Sequence, residues 1–163
     1  EFTENLFEMA KDAAEKLGVE PDILLAQAAL ETGWGKKISA SGDRSSLNLF
    51  NIKADKRWSG DSIKVATMKV RDGLAVKEVT AFRAYRNAEH SFNDYVDFIS
   101  NSPRYEGTLQ SDNSDAYIRN LSATGYTTDP DYADKVLRIA NSENFRTAIN
   151  HMTQLSELSV TVE

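Results

Sequence analysis

Residues 21–35 read Pro-Asp-Ile-Leu-Leu-Ala-Gln-Ala-Ala-Leu-Glu-Thr-Gly-Trp-Gly, and they constrain the fold more than any other stretch of the 163-residue chain. Pro21 suits the first turn of a helix, because the N–H it lacks has no intrahelical partner there in any case. Ile23, Leu24, Gln27, Ala28 and Leu30 continue at helical spacing. Gly33 and Gly35 then end the helix. The product is a short apolar helix that carries Glu31 in its last turn. The negative end of the helix dipole disfavours a carboxylate at that place. Apolar neighbours that withhold water push its pKa the same way, upward. A carboxyl group kept protonated near neutral pH is what a general acid requires. An arbitrary Glu near a helix end is a solvated surface group; the flanking Gly-Trp-Gly sets this one apart.

The rest of the chain predicts a mostly helical body around that segment. Residues 4–17 place Leu6, Met9, Ala10, Ala13 and Leu17 on one helical face, with Gly18 at the C′ position. Residues 36–60 are rich in Ser, Gly, Asp, Asn and Lys and read as a long loop. Residues 62–70 and 74–82 carry β-branched residues on either side of Asp72-Gly73, a strong hairpin signal. Helical patterns resume at 89–100, 112–124 and 130–155, the last with Asp129-Pro130 as N-cap and first-turn proline. Residues from Ser156 onward lack a pattern and read as loose. The expected fold class is α+β: a helical body, one small β-hairpin lobe, and a groove between them for an extended substrate. A single domain spans 1–163, with its core at about 5–155. The opening Glu1-Phe2, without a start Met, reads as a piece of a longer chain.

Several function classes are excluded at this level. The net charge of −6 and the lack of a basic stripe argue against nucleic acid as a partner. With no Cys, disulfides and thiolate metal sites are out. His90 and His151 are far apart and form no paired motif, so neither metal nor cofactor is expected. Gly35-Lys36-Lys37 lacks the glycine pattern of a phosphate loop, and no Gly-x-Ser-x-Gly occurs. No apolar run approaches the roughly 18 residues of a membrane helix, so no membrane insertion is expected. Asp112, Asp115, Asp129, Asp131 and Asp134 have the look of caps and first-turn charges rather than a calcium loop.

Four motifs, in order, carry a resemblance. They are Ala29-Leu30-Glu31-Thr32-Gly33-Trp34-Gly35, Asn48-Leu49-Phe50-Asn51-Ile52-Lys53, Phe82-Arg83-Ala84-Tyr85 and Gly125-Tyr126-Thr127-Thr128-Asp129-Pro130. Collinear over about residues 5–150, the chain resembles the peptidoglycan hydrolase domain of flagellar rod-assembly proteins, glycoside hydrolase family 73 of the lysozyme-like superfamily. The resemblance implies the lysozyme-like form of the α+β fold. It implies an endo-acting β-N-acetylglucosaminidase on peptidoglycan glycan strands, with the muramidase bond as the alternative within that class. It also implies a periplasmic setting at the flagellar basal body, with rod proteins met through another part of the chain. A wall-binding or rod-assembly module that does not cut is the alternative from a different class. An acidic chain is not drawn to an anionic wall, so its grip must come from a shaped groove.

Within that frame Glu31 is the acid, on both local physics and resemblance. The family's second Glu, aligned from the Asp-Gly turn, falls at Lys69, which is neither an anionic nucleophile nor, protonated, a base. With a two-residue turn, paired positions sum to 145, so Glu78 faces Thr67 and is the diagonal, same-face neighbour of Lys69. Glu78 is then either a substitute carboxylate or an ordinary strand charge paired with Lys69. The other readings are attack by the substrate's own 2-acetamido group, and loss of catalysis. Tyr126 matches the family's cleft tyrosine, whose hydroxyl would orient the acetamido group or a water. Trp34 and Tyr85 are candidates for stacking on a sugar face, and Trp34 is equally a core plug behind Glu31. Asn48, Phe50 and Lys69 complete the expected substrate-binding set; Asn51 stands where the family frequently has Gly. Trp58, in the polar loop, either closes over substrate or half-packs.

Overall fold

The computed structural model describes residues 2–162. Helix α1 (Phe2–Leu17) buries Leu6, Phe7, Ala10, Ala13, Ala14 and Leu17 as one stripe. It ends at Gly18, whose φ of 73° needs no Cβ. Helix α2 (Pro21–Thr32) is different in kind: residues 23–29 are all buried, with no polar face. Such a helix belongs at the centre of a body, and α2 packs between α1 and α5 (Tyr132–Ala140). Leu24 and Leu25 are both fully enclosed, and each contributes about 1.5–3 kcal/mol of burial. Gly33 ends α2 in the left-handed region, and the N–H of Trp34 returns to the carbonyl of Ala29 at 2.9 Å. Thr32 reinforces the stop. Its hydroxyl donates to Ala28 O and accepts from the Gly35 N–H.

Helix α3 (Ala88–Asn101) is capped by Asn87, whose side chain accepts the His90 N–H at 2.8 Å. It lays Phe92, Tyr95, Val96 and Ile99 into the core. Two 3-10 turns, Pro103–Tyr105 and Thr108–Gln110, lead to α4 (Ser114–Ala123), capped in the same way by Asn113. The helix expected over 130–155 is two helices, α5 and α6 (Glu143–Val162), with the break at Asn141-Ser142. Its start is also later than expected. Asp129 does not cap a helix at Pro130; its carboxylate accepts the Asp131 N–H at 2.9 Å and pairs with Lys135 at 2.7 Å, and the helix begins at Tyr132. The residues from Ser156, read as loose, continue α6 to Val162. Ser156 is buried against α1, where it accepts from Lys11 Nζ at 2.6 Å.

The hairpin lobe pairs β3 (Ser62–Arg71) with β4 (Leu74–Arg83), in register from Ser62 opposite Arg83 to Arg71 opposite Leu74. Asp72 and Gly73 have φ of 52° and 79°. Two positive values in succession make the mirror-type turn that suits strand twist. The loop expected over 36–60 holds a small second hairpin, β1 (Ala40–Ser41) with β2 (Arg44–Ser45). The long hairpin is tied to the body at its base. The Arg83 N–H bonds Ile52 O at 3.1 Å and the Ala54 N–H bonds Ala81 O at 2.9 Å. Among the described residues no helix is long and apolar enough to cross a membrane.

Candidate active site

Where the end of α2, the 50–57 segment, the base of β4 and the loops at 104–105 and 125–128 meet, they enclose a cleft of about 450 Å³. Glu31 lines it, half-buried. Two side chains hold its carboxyl group. Asn51 Nδ2 donates to Glu31 Oε2 at 2.7 Å and to the Glu31 backbone carbonyl at 3.0 Å. The Tyr132 hydroxyl also bonds the carboxylate. Burial away from water raises the Glu31 pKa above its ordinary value; the bonds from Asn51 and Tyr132 pull partly back, and the charge of Asp129 adds to the rise. Tyr132 is itself fixed from behind. Its oxygen accepts from Gln27 Nε2 at 3.1 Å, Gln27 Oε1 accepts from the Tyr95 hydroxyl at 3.0 Å, and Tyr95 shares a 2.6 Å bond with Tyr117. Because Gln27 donates to Tyr132, the Tyr132 proton is left to point at Glu31.

Tyr126 lines the same cleft, its ring edge-on to Tyr95 and Tyr105 and tilted against Tyr132. Its hydroxyl donates to Phe50 O at 3.0 Å. Burial pushes its pKa well up, with the Tyr132 and Glu31 charges adding. It is therefore a neutral phenol that gives its proton to Phe50 O and keeps its oxygen lone pairs as acceptors.

Other expected site residues are placed elsewhere. Trp34 turns its ring onto Phe2 and Phe145, 6.0 and 6.1 Å between centroids, and does not line the cleft. Its backbone has a φ of 61°, and the residue is left 43% exposed. Asn48 is fully buried and spent on backbone: it donates to Ile52 O and Arg83 O, each at 2.9 Å, and accepts the Ile52 N–H. It shapes the 48–52 loop rather than touching a sugar. Phe50 reaches the cleft wall but is core, stacked on Tyr95 at 4.1 Å. Tyr85 is buried, donates to Asp94 at 2.5 Å, and contributes no surface to the cleft. Trp58 lies over the Arg83 guanidinium at 4.7 Å and donates to Asp61 O, holding the loop instead of covering substrate.

Glu78 faces Thr67 in the register, as expected, and its carboxylate pairs with Arg71 at 3.2 Å. It shares a strand face with Phe82, which lines the cleft, but stands four residues nearer the hairpin tip and outside the lining. Lys69 is opposite Val76; its side chain lies outside the described residues. Among the described residues the other carboxylate on the cleft is Asp55, which Arg57 grips through Nε and Nη2.

The sequence reading passed over Asn51, Gln27 and Tyr132. The signal for Asn51 was present. Its φ is 53°, a region that Gly and Asn tolerate best, which explains an Asn where Gly is frequent. Gln27 gave a weaker sign, a lone amide inside an apolar helix.

The Glucosaminidase family model, described as mannosyl-glycoprotein endo-beta-N-acetylglucosaminidase, matches residues 7–145. The chain belongs to the glucosaminidase family. This glucosaminidase domain is a glycoside hydrolase of α+β, lysozyme-like form. It is 52% identical to peptidoglycan hydrolase FlgJ of Vibrio parahaemolyticus over 85% of its own length, and spans 45% of that relative. It superposes on the crystal structure of a peptidoglycan hydrolase from Sphingomonas sp. A1 with a TM-score of 0.82, at 40% identity over 93% of each chain. The glycoside hydrolase domain of Salmonella typhimurium FlgJ gives a TM-score of 0.68 at 31% identity, over 94% of this chain and 96% of that one.

Proposed function

We propose that this glucosaminidase domain hydrolyses the β-1,4 bonds of peptidoglycan glycan strands on the N-acetylglucosaminyl side. The observation that carries the reading is the Glu31 carboxyl group, half-buried at the cleft with its pKa raised and held by Asn51 and Tyr132. Glu31 protonates the glycosidic oxygen as the bond to the anomeric carbon breaks. The positive charge that develops there needs a partner. Asp55 is committed to Arg57 and Glu78 to Arg71, so the substrate's own acetamido oxygen is the better-placed nucleophile. It bonds the anomeric carbon to give a cyclic oxazolinium. Water then opens that ring, yielding its proton to the Glu31 carboxylate, and the product keeps its configuration. Tyr126 accepts the acetamido N–H and aligns it for attack. The likeness to the FlgJ relatives supports a setting in the bacterial periplasm, where the domain opens the wall for the growing flagellar rod. Contacts with rod proteins would belong to another part of a longer chain.

Digestion of purified peptidoglycan by wild type, Glu31→Gln, Glu78→Gln and Lys69→Glu, with mass analysis of the new reducing ends, tests this. N-acetylglucosamine at the reducing end, lost only in Glu31→Gln, is the expected result. Muramic acid there moves the cut to the other bond. An inert Glu78→Gln makes the mechanism a two-carboxylate one. An inert wild type that still binds wall leaves a binding module.

A further inference from the structure

We propose that Arg104, with Arg57 beside it, forms a carboxylate-binding subsite for the anionic peptide borne on the glycan, an inference that rests on the peptidoglycan reading above. Past Tyr105 the cleft continues into a recess of about 260 Å³, lined by Arg57, Ser102, Pro103, Arg104 and Tyr105. Two of those five residues are cations and none is an acid, in a chain that carries 25 acids against 19 bases. The turn that carries Arg104 is anchored by its neighbour. Arg104 belongs to the Pro103–Tyr105 turn, and Tyr105 is only 3% exposed, its ring 5.6 Å from Phe98 and 6.2 Å from Tyr126. The guanidinium reaches back towards the catalytic wall: a methyl built on Gly125, the neighbour of Tyr126, would stand 3.9 Å from Arg104 Nη1.

The two arginines differ in commitment. Arg57 lies over Phe98 at 5.6 Å and spends Nε and Nη2 on Asp55. Arg104 is exposed, and among the described residues no carboxylate is within ion-pair range of it. A planar, five-donor fork at the rim of a cleft matches a carboxylate in two hydrogen bonds at once. Neutral N-acetylglucosamine units offer no such group. In peptidoglycan the carboxylates are carried by the peptide on the muramoyl sugar, or by the lactyl group once that peptide is removed. The recess has room for a peptide, which favours the first source.

The test compares wild type, Arg104→Gln and Arg104→Lys on soluble peptide-bearing glycan strands and on the same strands stripped by an amidase, which exposes the lactyl carboxylate. Arg104→Gln is expected to lower kcat/KM on peptide-bearing strands about tenfold, chiefly through KM, for one lost charged contact. The loss on stripped strands is expected to be much smaller, and Arg104→Lys to recover part of the difference. A loss confined to the stripped strands would assign the anion to the lactyl group, and equal losses on both would assign the effect to folding; either would overturn the proposal, as would no loss on either. Should wild type cut neither strand, the hydrolase reading falls by itself. Calorimetric binding of N-acetylmuramoyl-L-alanyl-D-glutamate against the form with both glutamyl carboxyls amidated then still decides the subsite. A preference for the acid that disappears in Arg104→Gln supports it; no preference sinks it.

Discussion

The Asn51 side-chain nitrogen stands 2.7 Å from Glu31 Oε2 and 3.0 Å from the Glu31 backbone carbonyl, so one amide clamps the acid to the end of its own helix. The clamp has an electrostatic consequence. A donor favours the ionised carboxylate over the neutral acid, and so works against the burial that raises the Glu31 pKa.

Asn51→Gly tests that clamp without disturbing the backbone, since glycine accepts the φ of 53° at this position as readily as Asn does. With the donor gone, the Glu31 pKa rises further and the acid stays protonated to higher pH. The alkaline limb of the pH–rate profile is expected to move up, while the rate at the optimum falls because the carboxyl is less well held. A profile displaced downward would contradict the clamp.

Glu31 also makes stability depend on pH, in a direction fixed by its raised pKa. Below the unfolded value of about 4.5 the group is protonated in both states and contributes nothing. As pH rises from there through the raised folded pKa, the unfolded chain ionises first and stability is lost; the penalty is complete above the folded pKa. Glu31→Gln removes the penalty. At pH 7 its Tm is expected to exceed that of wild type, by roughly 2–4 °C for each kcal/mol relieved. The gap closes as pH falls to about 4.5. Thermal melts of both proteins across that range check the sign.

The central helix, the Glu31 helix end and the Asp-Gly hairpin were legible because each rests on local chemistry: a run of apolar residues, paired glycines, a mirror-type turn. The register that sets Glu78 opposite Thr67 followed from turn length alone. The roles of Trp34, Asn48 and Tyr85 were not legible, because residue type does not say which side of a chain faces the cleft. Ring contacts with Phe2 and Phe145 place the first, and long-range partners at Arg83 and Asp94 place the other two. The break at Asn141-Ser142 was hidden because neither residue is Gly or Pro and the apolar spacing runs on across it.

Asp94 binds together the hairpin base and α3. Its Oδ2 accepts from Arg83 Nη1 at 2.9 Å and from the Tyr85 hydroxyl at 2.5 Å. Both side chains of the ion pair are largely withdrawn from water. Asp94→Ala leaves the Arg83 charge buried, with Asp55 the remaining carboxylate at 3.9 Å. Breaking one arm of a buried pair costs about 3–5 kcal/mol. Urea unfolding is expected to show a loss of that order, and a midpoint within error of wild type would refute it.

Gly60 is required by a close approach. A Cβ there would lie 2.5 Å from the Trp58 ring, inside any permitted contact. Gly60→Ala is expected to push Trp58 off the Arg83 guanidinium, with an overpacking cost of about 1–3 kcal/mol. Tryptophan fluorescence reports the displaced ring. The double variant Gly60→Ala, Trp58→Ala should show less than additive loss, since the clash needs both groups.

Gln27 is the hinge of the hydrogen-bond chain behind the acid. It takes the Tyr95 proton on its oxygen and gives its own N–H to Tyr132, which directs the Tyr132 hydroxyl at Glu31. Gln27→Leu keeps the volume but removes both bonds, leaving two tyrosine hydroxyls buried without that partner. The stability cost is about 1–3 kcal/mol. The catalytic consequence separates this residue from a merely structural one. With its orienting donor gone, the Tyr132 hydroxyl supports the ionised Glu31 less well, so the alkaline limb of the profile is expected to move up, as in Asn51→Gly. Tyr132→Phe should reproduce that shift, and adding Gln27→Leu to it should move the limb no further, because the chain is already cut between them. An additive shift in the double variant would show that Gln27 reaches Glu31 by some other route.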